Sequence, residues 1–503
     1  MSKLWPIKNL KIFIVLILVG LIVHYPSFKL SLYGDDWLTI YLYFTHDDPA
    51  ARFGPLPGIL TFLTPYGPSI LLIGTLFKIF HTNYIFYYIT ALILRVIAAF
   101  SLYLACQKIT NAKFVSFLIS VLFLVGSTGL QTTDWVFYMS IYLATGLFLL
   151  GIFYKVKFFQ ERQKKNLYMS LFFELASIIV ASVRLYPVIF LSPLTDTLFF
   201  FQTGQGKKFS LKLLVIKNII FVAAITLFWS IGVFGTPGRV YSPDWSVSNF
   251  LTIVTGVPID ALKSFFYWVG VTLISLNLIK DVQSIQIIGI LFPLFLLSRI
   301  IKSLRMVYKR NRVSLLTVSL LFFISLVTIW WYSPLRLISS EDRYLLFPFA
   351  TLCLLIGVLT SSLAHYLRIG AVILLVFLIV FHSIATRSMY YYWLSKGRDA
   401  TFIRKVEQII YPNLTTLSKG RNIIYLNFGD SVTLQSVQFG LAFKILVLSK
   451  TWDQRHLALV YNDKQSLIKA INNKITQGEV YAYQFENNTF RDITLATREE
   501  LLK

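Results

Sequence analysis

Long apolar runs broken by short polar segments fill the first three quarters of the chain. A helix that crosses the hydrocarbon core of a bilayer needs roughly 20 mostly apolar residues. Windows at 10–25, 84–106, 114–130, 136–154, 168–186, 187–203, 213–233, 284–299, 313–332, 344–362 and 369–386 read as such spans. The pattern therefore predicts an α-helical polytopic membrane protein with about eleven transmembrane helices. The first intervening segment, 26–83, is unusually long, and its apolar stretch 70–80 is too short to cross. It reads as helix lying along the membrane surface. A loop of that length inside a compact protein is usually functional.

From 387 the pattern changes. Hydrophobic runs shorten, and Asn, Gln, Asp and Lys increase. The stretches 422–428 (NIIYLNF), 444–448 (KILVL) and 479–485 (EVYAYQF) read as strands, and 465–475 as a helix. The chain thus divides into a transmembrane domain, 1–386, and a small C-terminal α/β domain, 387–503. No internal repeat, phosphate loop, CxxC or GxSxG is present in the sequence.

Composition agrees with this reading. The 503 residues are 56% hydrophobic and 14% charged, where soluble domains carry about 25% charged residues. Phe, Tyr and Trp number 44, 28 and 10, and Tyr and Trp suit the membrane–water boundary.

The net charge of +24 is spread in short clusters between apolar runs, which is the positive-inside pattern and not a nucleic-acid footprint. Clusters expected in the cytoplasm are Lys3/Lys8/Lys11, Lys108/Lys113, Lys155/Lys157/Arg162/Lys164/Lys165, Lys207/Lys208/Lys212, Arg299/Lys302/Arg305/Lys309/Arg310/Arg312 and His365/Arg368. The alternation puts the N-terminus in the cytoplasm and the C-terminal domain outside a plasma membrane. Segment 262–279 is apolar enough to span, but counting it would move the basic loop 299–312 outside. It is expected to be interfacial or re-entrant. The N-terminal run lacks a small-residue cleavage site and reads as an uncleaved first span. Cys106 and Cys353 sit in apolar runs, and no structural disulfide is expected.

Candidate chemistry gathers in the outer segments. Tyr33-Gly34-Asp35-Asp36-Trp37 follows the first span. Paired carboxylates near a bilayer are costly and repel each other. One could act as general base on a sugar hydroxyl, both could hold a divalent cation such as Mg or Mn, and Trp37 could stack on a sugar. Equally, Asp before an apolar-periodic stretch caps a helix.

His46-Asp47-Asp48-Pro49 is a second acidic pair that also suits a turn. Asp134-Trp135 lies in the short second outer loop and could cap a helix or join the first pair. Glu341-Asp342-Arg343-Tyr344 opens the tenth span, and its arginine could bind phosphate or pair with a carboxylate. Arg95 and Arg184 lie inside apolar runs, where arginine is expensive and suggests function or a buried pair. Arg239 follows Gly235-Thr236-Pro237-Gly238 and could be a turn charge.

The order of these features resembles the GT-C superfamily of integral membrane glycosyltransferases, in particular bacterial members that use polyprenyl-phosphate sugars. The likeness is carried by the acidic pair after span one, Gly54-Pro55-Leu56-Pro57, Tyr66-Gly67-Pro68-Ser69-Ile70-Leu71, Lys78-Ile79-Phe80-His81-Thr82-Asn83 and Arg343-Tyr344-Leu345-Leu346-Phe347-Pro348.

The resemblance implies inverting sugar transfer from a polyprenyl-phosphate donor to an envelope glycan, lipid or protein on the outer face. Asp35 or Asp36 would take the place of the first-loop carboxylate, with Asp134 as its partner. Arg343, Arg184 and Arg239 would be candidates for the donor phosphate, and Trp37, Trp135 and Tyr344 for stacking. A transporter or flippase of lipid-linked sugars and a non-catalytic assembly protein are the other classes that fit.

Overall fold

The computed structural model describes residues 7–46, 66–185, 187–203, 207–235, 247–274, 281–305, 309–330, 342–363, 365–413, 417, 422–427, 437–438, 440–472, 479–486 and 489–501. Each of the expected spans falls on a helix. These are α1 (Ile7–His24), α4 (Ile85–Thr110), α5 (Lys113–Val125), α7 (Ser140–Glu161), α8 (Lys164–Leu185), α9 (Val188–Thr203), α10 (Lys207–Gly235), α13 (Val282–Arg305), α14 (Lys309–Trp330), α15 (Leu346–Ser362) and α16 (His365–Trp393). Six helical segments among the described residues are long and apolar enough to cross a membrane. The segments between them add α2 (Asp35–Phe44), α3 (Gly67–Phe80), the single turn α6 (Gln131–Asp134), α11 (Val247–Gly256) and α12 (Pro258–Leu273).

Two short helices shape the end of the bundle that carries the first long loop. Helix α5 has 13 residues, about 20 Å against a hydrocarbon core of about 30 Å. Its C-terminus therefore stops inside the bundle, and the loop between α5 and α7, the second loop, dips in after it. Polar backbone at that depth must be satisfied internally. Arg95 donates to the carbonyls of Phe123 (3.3 Å) and Gly126, His24 Nε2 to Leu124 (2.9 Å) and Thr386 to Val125 (2.8 Å). Arg95, open between function and structure in the sequence, thus caps a buried helix end.

Gly129 lets this loop close onto α15. Its φ is +76°, and a Cβ there would lie 2.8 Å from Leu346 Cα. Helix α12, inside the ambiguous segment 262–279, has 16 residues and ends beside the same loop, with Thr128 donating to Thr272 O at 3.5 Å.

Lys155 corrects an expectation. Placed by the sequence in a cytoplasmic loop cluster, it is fully buried on α7. Its Nζ pairs with Glu174 (2.6 Å) on α8 and Asp196 (3.0 Å) on α9, and Lys217 of α10 pairs with the same carboxylates at 2.5 and 2.7 Å. Two cations and two anions cancel, and Ser192 and Thr195 add hydrogen bonds.

The last long helix runs on to Trp393, past the expected boundary at 386, and turns through Leu394–Arg398 into α17 (Ala400–Ile410). The C-terminal region then builds a four-stranded sheet from β1 (Ile423–Asn427), β2 (Leu459–Tyr461), β3 (Val480–Glu486) and β4 (Thr489–Asp492) in the order β2-β1-β3-β4. β1 runs parallel to β2 and β3, and β4 is antiparallel to β3.

As the central strand, β1 is buried on both faces. Ile423 and Tyr425 meet Leu467 of α19 (Lys464–Asn472), while Ile424 and Leu426 join the core continuous with the membrane bundle. Helix α20 (Thr494–Leu501) closes the chain against β3. The run 444–448, expected as a strand, lies instead in helix α18 (Leu441–Ser449). A short apolar run does not by itself distinguish strand from buried helix.

Candidate active site

Three segments far apart in sequence meet at the N-terminal ends of α4 and α7: the first loop at 30–37, the second at 133–138 and the turn Leu394–Arg398. Asp36, fully buried, links the first two. One carboxylate oxygen reaches back to accept the Tyr33 N–H (2.9 Å) at the start of α2, and the other accepts the Phe137 N–H (3.0 Å). Burial pushes its carboxyl up to about 7. The two N–H donors and Arg398 pull the other way, and Asp35 adds a smaller upward push.

Asp134 is 5% exposed and forms an ion pair with Arg398. The Arg398 guanidinium also donates to Asp134 O (3.0 Å) and Ser31 O (3.2 Å), and it lies 4.2 Å from the centre of the Tyr33 ring. Asp36 and Asp134 are thus both engaged as acceptors in the resting protein. The half-exposed carboxylate of the three is Asp35, and Tyr33 and Trp135 are half-exposed too. Those two rings lie 6.1 Å apart, and Trp135 stacks on Tyr138 at 5.9 Å.

The other expected residues separate. Trp37 does not present a face to a substrate. It is 2% exposed, packed against Phe77 and Tyr84, and covered by Lys444 Nζ at 5.0 Å. Tyr344 is half-buried against the core, in the turn Asp342–Leu345 that packs on α6. The side chains of Arg343 and Arg184, and the whole of Arg239, Asp47 and Asp48, lie outside the described residues.

The oxygens of Asp36 are taken by backbone N–H groups and Asp134 by Arg398. Among the described residues no group of three His, Cys, Asp or Glu side chains could hold a metal.

Arg398 escaped the sequence reading because it lies in the segment assigned to the soluble domain. The one local sign is its place next to Asp399, whose backbone bridges to Leu30. The C-terminal domain packs directly on the first loop. Tyr41 donates to Trp452 O (2.6 Å), Phe44 stacks on Trp452 at 4.9 Å, and Lys444 pairs with Glu407, which also accepts from Tyr84 (2.5 Å).

The described residues define a multi-pass helical membrane protein whose C-terminal α/β domain sits over its first loop. No family model matches the chain, and no curated protein matches it. Among solved structures, 11 chains match. One is the crystal structure of ArnT from Cupriavidus metallidurans bound to undecaprenyl phosphate. It is 10% identical, covers 94% of this chain and 92% of its own, and has a TM-score of 0.44.

Proposed function

We propose that this chain is a membrane glycosyltransferase that moves a sugar from a polyprenyl-phosphate donor to an acceptor on the outer face of the plasma membrane. The observation that carries the reading is a half-exposed carboxylate, Asp35, two residues from Tyr33, whose half-exposed ring lies 6.1 Å from that of Trp135 on the second loop. Asp35 is the half-exposed carboxylate of that site and takes the role of general base on the acceptor hydroxyl or amine. Tyr33 and Trp135 offer the aromatic faces a sugar ring needs.

Asp36 and Asp134 act through the backbone they hold and not on the substrate, and Trp37 is left out of the site. Arg343 is the cation proposed for the departing lipid phosphate, since its turn packs on α6, the turn that ends in Asp134. Stabilising a leaving phosphate in a dry site is worth several kcal/mol, on the order of 3 for a single donor. Arg184 and Arg239 remain candidates for the same role. The layout of 1–386 supports a donor of the GT-C type, with a phosphate that needs a cation and a tail that needs an apolar surface. The positive-inside pattern supports a cytoplasmic N-terminus and an outer C-terminal domain.

The test is transfer by full-length protein in proteoliposomes supplied with a panel of polyprenyl-phosphate sugars and envelope acceptors. The reading expects release of the lipid phosphate together with a glycosylated acceptor. Movement of the intact lipid-linked sugar across the bilayer without cleavage, or no reaction with any donor, overturns it.

A further inference from the structure

We infer that Arg398, supplied by the turn joining the last long helix to the C-terminal domain, is the positioning residue that holds the two carboxylate-bearing outer loops in register. Its kinetic consequence rests on the glycosyltransferase reading, but its geometric consequence does not.

Arg398 is 3% exposed. One arm of its fork pairs with the Asp134 carboxylate of the second loop. The other donates to Asp134 O (3.0 Å), Ser31 O of the first loop (3.2 Å) and Tyr88 OH of α4 (3.4 Å). Its plane covers the Tyr33 ring at 4.2 Å. Its own carbonyl accepts from Ser31 N (2.8 Å) and Ser31 Oγ (3.2 Å), and the next residue, Asp399, bridges to Leu30. One side chain therefore joins the first loop, α4 and the second loop, and the turn that carries it is itself zipped to the first loop.

Tyr33 is the hinge of this arrangement. Its N–H is held by Asp36, its ring by the guanidinium, and Asp35 lies two residues on. A planar, delocalised cation with several fixed donors suits these contacts, and a lysine ammonium does not reproduce them. The charged and titratable groups around Asp36 are Asp35 and Tyr33 on its own segment, Tyr87 and Tyr88 of α4, and Arg398 with its partner Asp134.

The experiment is hydrogen exchange by mass spectrometry on full-length protein at pH 8. It compares wild type, Arg398→Gln, Arg398→Lys, Arg398→Gln/Asp134→Asn and Asp35→Asn. Arg398→Gln should speed exchange in peptides covering 30–37 and 131–139 about tenfold, a shift expected when a buried charged hydrogen bond is lost. Peptides from α8 and α9 should not change. Arg398→Lys should fall between wild type and Arg398→Gln. The double variant should be slower than Arg398→Gln, because no unpaired carboxylate remains. Asp35→Asn should match wild type.

Two further readouts accompany this. The midpoint of the stability–pH curve, near 7 for Asp36, should move up by about one pH unit in Arg398→Gln and stay in place in Arg398→Lys. In the transfer assay, Arg398→Gln should lower kcat on the order of 100-fold with KM for the donor little changed, as expected for a misplaced catalytic group. Unchanged exchange in both loops overturns the positioning role whether or not the protein transfers sugar. Wild type that transfers no sugar but shows the exchange pattern overturns only the reaction.

Discussion

Asp35 and Asp36 are neighbours in sequence with opposite environments. Asp35 is half-exposed, whereas Asp36 is fully buried with both oxygens on backbone N–H groups. Burial lifts the Asp36 carboxyl from 3.8 to about 7. The folded chain therefore holds a proton that the unfolded chain has already released between those values. Stability from this group is full below about pH 4 and is lost as the pH rises through about 7. The apparent Tm of purified protein should fall between pH 5 and 8, by an amount equivalent to about 3 kcal/mol. Asp36→Asn should flatten that slope, and identical slopes for the two proteins would remove Asp36 as its source. The sequence offered a cap and a catalytic carboxylate as alternatives for the pair. In the structure Asp36 makes a cap-like contact, accepting the Tyr33 N–H just before α2. What was not legible was Arg398, whose partner Asp134 is 264 positions away. No local pattern announces a contact made only by the folded bundle.

At the scale of elements, the long apolar helices were legible because hydropathy over a window reports membrane burial directly. The exceptions have physical reasons. Helix α5 ends early because side chains of α1, α4 and α16 take over its last carbonyls. Lys155 ends an apolar run and so looks like a positive-inside charge, yet carboxylates on α8 and α9 bury it. The run 444–448 fits either a strand or a helix, and packing against the first loop settles it as helix. The charged quartet on α7–α10 makes its own prediction. Lys217→Met leaves Glu174 and Asp196 to share one cation and should destabilise the protein by about 3–5 kcal/mol. Lys217→Met/Asp196→Leu restores neutrality and should be the more stable of the two. A thermal-shift series in detergent reads the order, and a double variant weaker than the single contradicts it.

For the whole molecule, the C-terminal domain is a wall of the site. Gly440, at the start of α18, has φ +86°, and a Cβ there would lie 2.5 Å from Gly34 O, next to Asp35. Gly440→Ala should therefore strain this contact by about 1–2 kcal/mol and raise protease sensitivity around the first loop, and Lys444→Met should do the same by stranding Glu407. Unchanged cleavage in both variants would mean that the domain does not brace the loop. Strands of this region were legible in the sequence, but its docking was not, because Trp452, Lys444 and Gly440 carry no signal of their partners. The central claim, that Asp35 drives sugar transfer, is tested most directly by single-turnover transfer in proteoliposomes with saturating polyprenyl-phosphate sugar. Asp35→Asn should bind donor as wild type does and transfer at least about 100-fold more slowly, whereas transfer at the wild-type rate would contradict the account.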